Sequence, residues 1–339
     1  MQRIVECVPN FSEGRNQEVI EAISQAVRDT AGATLLYVDS DADYNRTVFT
    51  FVGEPEAVVE AAFNATKVGT ELIDMSAHKG GHPRMGAADV VPFVPVAGVT
   101  MEECAACAEA YGKRIAEELS IPVYLYERAA KKPERQNLAV VRRGEYEALP
   151  EKMQDPEFAP DFGKTEFNAK SGATATGARP FLIAYNVSLK SEDVKIANKI
   201  AGALRESGVI AKDEDGNKIM GENGKAKRIP GRLKALKGMG VEMPKYKITQ
   251  VSMNLTDFHL TAPHVAFQEV KKEAAKYGVE VSGSEVVGLI PKEALIMAGK
   301  YYKNDAASDE ELVKAGIEGL GLSDLYEFKA EEKVIEYLI

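Results

Sequence analysis

The feature that most constrains this chain is a hydrophobic pattern whose period switches between 2 and 3.6 residues and runs through the same order twice. RIVECVPN at the start reads as a strand. Val19, Ala22, Ile23, Ala26 and Val27 then follow the spacing of a helix that buries one face. ATLLYVDS and NRTVFTFVG read as two strands, and a second helix from about Pro55 carries Val58, Ala62, Ala65 and Leu72 on one side. DVVPFVPV fits a further strand. A third helix starts at Thr100, with Glu103 completing a capping box, and IPVYLYE closes the segment as a strand. From about Phe181 the pattern restarts with FLIAYNVSL as a strand. A helix follows with Val194, Ala197, Ile200, Ala201 and Leu204 on its stripe. Strands near Leu233 to Val241 and Ile248 to Leu255, a helix with Phe267, Val270, Ala274 and Tyr277, and the strand VEVSGSEVVGLI complete it.

Each half has the order β-α-β-β-α-β, the split βαβ or ferredoxin-like unit. The expected fold is therefore α+β: two ferredoxin-like (βαββαβ) subdomains packed together, residues 1–178 and 179–339, with no letter-level repeat between them. The polar, Gly-rich stretch from about Asp155 to Ala178 reads as the join. A loop of that length in a compact protein is usually functional or disordered. Residues 209–229, with KDEDGNK and GENGK, read as a surface hairpin or mobile loop.

Composition narrows the function classes. A chain of 339 residues is too long for one ordinary core, in keeping with two domains. With 45% hydrophobic and 28% charged residues it reads as globular. No stretch reaches the roughly 18 apolar residues of a membrane helix. MQRIVECVPNF lacks the charged-then-apolar pattern of a signal peptide, so a cytoplasmic protein is expected. Three cysteines argue against a disulfide framework. The net charge of −10 disfavours nucleic acid as a partner, and an anionic substrate would need a local basic pocket.

Two of the four histidines, His78 and His82, lie four apart in HKGGHPRMGAADVVPF. Gly80, Gly81 and Gly86 crowd that loop, and Pro83 pushes His82 toward an extended backbone. An imidazole held on such a loop suits acid–base work near neutral pH, although loop histidines are often incidental. Zinc at HxxxH is a poor fit, because the glycines and Pro83 break the helix that this spacing needs and no third ligand is evident, so no metal is expected. Cys104 and Cys107 form CxxC but fall on the apolar stripe of the third helix, where a small buried hydrophobe explains them. Asp39, Asp41 and Asp43 stand at a strand end. They lack the Gly and distal Glu of a calcium loop; one could orient an imidazole, and turn chemistry is the plainer reading. GKTEFNAKSGATATGARPF, with Lys164, Lys170 and Arg179, could offer cations and backbone N–H groups to a carboxylate, or be a flexible linker. Its place between the halves favours a binding loop, since pockets gather at domain interfaces. His264, behind Pro263 at a helix start, reads as a neutral packed histidine.

Taken together, ECVPNFSEGRN, VDSDADYNRTVFTFVG, ELIDMSAHKGGHPRMGAADVVPFVPV, PVYLYERAA, PDFG, GATATGARPFLIAYNV, QVSMNLTDF and GSEVVGLIP resemble the formiminotransferase family over nearly the whole chain. The resemblance implies the activity of a glutamate formimidoyltransferase in histidine breakdown. In that reaction the formimino group of N-formimino-L-glutamate passes to tetrahydrofolate, the co-substrate, giving glutamate and 5-formiminotetrahydrofolate. It also implies two ferredoxin-like subdomains, a homodimer or larger assembly, and a stand-alone transferase that a separate cyclodeaminase could accompany. The family's catalytic histidine falls on His82, with Asp39 as the candidate orienting carboxylate. Its folate-contacting segment falls on Gly163, Lys164, Thr165, Glu166, Phe167, Asn168, Ala169, Lys170, Ser171 and Gly172. Both substrates carry carboxylates, which makes Arg46, Arg84 and Lys170 candidate partners. The resemblance departs at Gly81, where family members commonly have Glu, and at 209–229, which is longer than the family's loop.

Three other readings compete. A sister enzyme would move a formyl group between 5-formyltetrahydrofolate and glutamate, in the same space. An RNA-binding module shares the β-α-β-β-α-β order, but no aromatic RNP run is present. A non-catalytic folate carrier is the third reading.

Overall fold

A computed structural model describes residues 3–221, 224–303 and 307–339. The chain divides into two compact units, Met1–Pro180 and Phe181–Ile339, each with its own apolar core.

In the first unit the expected elements form in order: β1 (Ile4–Cys7), β2 (Asn10–Phe11), α1 (Gln17–Arg28), β3 (Ala33–Asp41), β4 (Arg46–Gly53), α2 (Pro55–Leu72), β5 (Ala88–Ala97), α3 (Met101–Leu119) and β6 (Val123–Glu127). Local signals set the helix starts. The Asn16 side chain caps α1, Pro55 opens α2, and Thr100 and Glu103 make the expected reciprocal capping box on α3. The first strand is broken at Val8–Pro9, so β1 and β2 lie in line, both between β4 and β5. The sheet runs β3, β4, β1/β2, β5, and then two strands parallel to β5.

The first of those parallel strands corrects the expected join. Thr174–Ala178 is not linker but strand β7, fully buried between β5 and β6. Its residues are small on both faces, so no period betrays it. Its Thr174 and Thr176 hydroxyls donate to Ala88 O (2.7 Å) and Val91 O (2.8 Å), which is how a polar-looking segment enters a core.

Phe11, Phe49, Phe51, Val91 and Phe93 face the three helices. The opposite face, near β5, β6 and β7, is covered by residues 129–158, which contain the single turns α4 (Leu138–Val141) and α5 (Leu149–Lys152). Arg135 pins this cover. It is 3% exposed, and it donates to Asp161 Oδ2 (2.6 Å), Ala159 O (2.6 Å) and Glu157 O (3.1 Å).

The second unit holds β8 (Ile183–Leu189), α6 (Val194–Leu204), a hairpin of β9 (Val209–Ile210) and β10 (Arg228–Ile229), β11 (Leu236–Met243), β12 (Ile248–Leu255), α7 (Pro263–Ala275) and β13 (Val281–Val287). Its sheet order is β11, β12, β8, β13, all antiparallel. Residues 209–229 extend the hairpin through bridges at Lys212–Lys218 and Met220–Ala226, with 222 and 223 outside the described residues. Helices α8 (Lys292–Tyr302) and α9 (Asp309–Leu320) add a pair beyond the repeated pattern.

Replacing Arg135 with Ala would leave the largely buried Asp161 carboxylate, 10% exposed, without its ion-pair partner. A loss of about 3 kcal/mol from the first unit is expected, read as a lower urea midpoint with unchanged slope.

Candidate active site

His82 lies on the loop between α2 and β5, and its two ring nitrogens are both engaged. Nε2 meets Arg46 Nη1 at 2.8 Å, and Nδ1 meets Pro83 O at 2.8 Å. A guanidinium can only donate. Nε2 is therefore the bare nitrogen, and Nδ1 carries the proton and donates to the carbonyl. Burial, and then the Arg46 charge, push the imidazole down to about 4, so it is neutral around pH 7. The exposed Tyr44 ring stands edge-on to it at 5.8 Å.

His78 is held the same way with the tautomer reversed. Arg84 Nε donates to its Nδ1 (3.2 Å), and its Nε2 donates to Asn45 O (3.0 Å). Burial, first of all, lowers its pKa. With both nitrogens bonded inside the protein, His78 serves to position the loop.

Arg84 was a candidate for a substrate carboxylate. Instead its Nη atoms form a two-pronged pair with Glu147 (2.8 and 2.7 Å), and Nη1 also reaches Glu145 (3.2 Å) and Nη2 reaches His78 O (3.4 Å). Together with Nε on His78, every N–H of this buried side chain has an acceptor, and none is left for a ligand. Glu145 lies at φ 58°, ψ −158°, a backbone region that a side chain enters only at a cost.

Arg46, by contrast, gives Nη1 to His82 and keeps an Nε with no acceptor among the described residues. It starts β4 opposite Asp41, and Asp39 stands opposite Val48 on the same face of the sheet. Burial brings Arg46 down to about 10, while Asp89, Asp39 and Asp41 support its charge. Asp41 also caps the following turn, accepting from Asp43 N (2.9 Å) and Tyr44 N (2.7 Å). Behind Arg46 lies Asp89, 1% exposed, which accepts from Met85 N (2.9 Å) and Arg142 Nη2 (2.7 Å). Among the described residues, neither Arg46 Nε nor Arg142 Nε has an acceptor.

The segment 163–172 divides in two. Lys164, Thr165 and Glu166 are exposed after Gly163, which has φ +90°. From Phe167 onward the segment is stitched to the loop carrying His82. Phe167 packs on Tyr146 (5.3 Å), and Asn168 caps Ser171 N (3.0 Å). Tyr146 Oη donates to Ala169 O (2.6 Å). Met75 N donates to Lys170 O (2.9 Å), Ala87 N donates to Ser171 O (2.9 Å), and Gly172 bridges Gly86. Lys170 Nζ is turned onto Glu71 O (2.8 Å). A cleft of about 530 Å³ opens beside this seam, lined by Met75, His78, Lys79, Arg84, Tyr146 and Glu147, and not by His82.

The two glycines before His82 differ in kind. A Cβ on Gly80 would stand 2.1 Å from Tyr44 O, whereas one on Gly81 would make only an ordinary contact, 3.5 Å from the Tyr44 ring. Position 81 can thus carry a side chain without moving the loop.

Other candidates fall away. Cys104 and Cys107 are buried in α3, and burial raises their thiols to about 12 and about 11. His264 stacks on Tyr301 at 5.1 Å, and burial lowers its pKa. Among the described residues no three His, Cys, Asp or Glu side chains could hold a metal ion, and no helix is long and apolar enough to cross a membrane. Sequence reasoning missed Asp89, Arg142, Asn45 and Glu147. Asp89 left one signal, an acid opening the continuous apolar run VVPFV.

A neutral imidazole beside a guanidinium is an arrangement whose chemistry suits proton transfer next to an anion. Comparison with known proteins shows that the chain belongs to the formiminotransferase family. Residues 4–179 match the family model for the formiminotransferase domain, N-terminal subdomain, and residues 184–339 match the model for the formiminotransferase domain. The chain is 49% identical over 343 residues to the formimidoyltransferase-cyclodeaminase of Mus musculus, covering all of this chain and 60% of that protein. It is 44% identical to the glutamate formimidoyltransferase of Streptococcus pyogenes serotype M1, over 89% of this chain and 94% of that one. It is 43% identical to the glutamate formimidoyltransferase of Thermoplasma acidophilum, over 91% and 94%.

Replacing Gly80 with Ala is expected to cost about 2 kcal/mol or more, because backbone must move. Gly81→Ala should stay within about 0.5 kcal/mol of the parent, both read by thermal unfolding.

Proposed function

We propose that this protein transfers the formimino group from N-formimino-L-glutamate to tetrahydrofolate, giving L-glutamate and 5-formiminotetrahydrofolate. Family membership and the two relatives named glutamate formimidoyltransferase support the reaction. The observation that carries the mechanism is the neutral His82 with Arg46 on its bare nitrogen.

In the reaction N5 of tetrahydrofolate bonds to the formimino carbon, and a tetrahedral intermediate forms. His82 Nε2 takes the proton from N5 and returns it to the glutamate nitrogen as the carbon–nitrogen bond to glutamate breaks. Such acid–base catalysis supplies roughly 10²–10⁴-fold, and holding the two substrates together supplies the rest. An imidazole at about 4 is a weak base at neutral pH. A substrate carboxylate that draws Arg46 away frees the lone pair and removes the adjacent positive charge, so the base strengthens when substrate arrives. Asp39 acts in this scheme through Arg46, whose charge it supports. The exposed start of 163–172 is assigned to the folate, and its stitched end holds that stretch in register with His82. Arg84 and Lys170 position these segments.

We read both units as ferredoxin-like subdomains, because in each sheet the last strand of the βαββαβ order lies beside the first. The protein is taken to act in the cytoplasm as a homodimer.

His82→Ala should lower kcat by about 10²–10⁴-fold and leave tetrahydrofolate binding intact by calorimetry. Turnover of the formyl pair but not the formimino pair would overturn the donor assignment. The pH profiles test the role of Arg46. In the free enzyme, kcat/KM should hold as pH falls below the ordinary imidazole value and fail only toward about 4. The acid limb of kcat, which reports the bound complex, should lie higher. Coincident limbs would show that substrate leaves Arg46 in place.

A further inference from the structure

Behind His82 three charged side chains could pair in more than one way. Asp89 is buried, and its carboxylate meets Arg142 Nη2 at 2.7 Å. Asp89 also acts on Arg46, yet Arg46 gives its Nη1 to a neutral imidazole nitrogen at 2.8 Å. A buried carboxylate is a stronger acceptor for a guanidinium than a neutral ring nitrogen is. Something must therefore keep Arg46 from turning to Asp89. Arg142, at the end of α4, already pairs with Oδ2 of that carboxylate, Met85 N bonds Oδ1, and Arg142 sets a second positive charge there.

We infer that Arg142 is a positioning residue: by occupying the Asp89 carboxylate it leaves the Arg46 guanidinium on His82 Nε2. The charged groups acting on His82 are Arg46 from β4, Arg142 from α4 and Asp89 from β5. Asp39 and Asp41 from β3 act on Arg46, and on the loop itself the His78–Arg84 pair is closed on Glu145 and Glu147. Without Arg142, Asp89 has Arg46 as its remaining cationic partner in this set. Arg46 then turns away, and His82 loses the cation that keeps its proton off. Without Asp89 the carboxylate on the Arg142 side is gone, Asp39 and Asp41 act on Arg46 as before, and His82 keeps it.

The kinetic consequence rests on His82 being the proton-transfer group, but the ring itself can be titrated by NMR with labelled histidine, its signal assigned by loss in His82→Gln. A chain that failed to transfer a formimino group would leave this measurement intact. In Arg142→Gln the His82 midpoint should rise by about 1–2 pH units, or about 10- to 100-fold in proton affinity. Arg46→Gln should raise it at least as far. The double variant should lie within about 0.3 units of Arg46→Gln, because Arg142 acts through Arg46. Additive shifts, or an unmoved midpoint in Arg142→Gln, would overturn the inference. Should Arg142→Gln not fold, Asp89→Asn decides: its midpoint should not rise above that of the parent, and a rise would refute the competition.

Discussion

The buried guanidinium of Arg84 is the interaction on which the site depends. One planar fork joins the loop carrying both histidines to the Glu145–Glu147 segment, and its Nε fixes the tautomer of His78. Through His78 the clamp reaches Asn45, whose side chain bonds Gly14 N (3.0 Å) and Lys79 O (3.1 Å). Three stretches that are far apart in the chain are thereby held in one register. A lysine could not replace this arrangement, because a point charge cannot serve a ring nitrogen, two carboxylates and a carbonyl at fixed angles.

The same chemistry is used twice with different results. Both histidines accept from an arginine and donate to a carbonyl, so both are neutral. The arginine on His78 is saturated by glutamates, and that pair is closed. The arginine on His82 has three carboxylates that support its charge, Arg142 that opposes it, and an Nε with no acceptor among the described residues. What separates a structural imidazole from a chemical one here is the number of donors left on its neighbour.

Much of the fold could be read from the residues. The alternation of strand and helix periods marks the repeated elements, and Thr100–Glu103 and Pro55 mark helix starts, because these effects act within a few residues. β7 escaped, since a strand of Thr, Ala and Gly buried on both faces has no period to show. At the site, His82 stood out through its glycines and Pro83, and Arg46 was one of three cations named as partners for substrate carboxylates. Arg84 looked equally available, and only its burial against Glu145 and Glu147 shows that it is spent. Gly81, conspicuous as a departure, proves spatially permissive, while Gly80 beside it is not.

The sequence by itself determined the strands and helices of the repeated pattern, which imidazole sits on a Gly-flanked loop, and that no cysteine pair was needed. Those properties follow from backbone preference and local apolar spacing. Only the tertiary structure decided the protonation pattern. Arg46, Asp89 and Arg142 come from three separate elements, and their effect on His82 depends on distances of a few ångströms and on burial. Neither quantity is written in the order of residues, because both arise only when strands far apart in the chain are brought side by side.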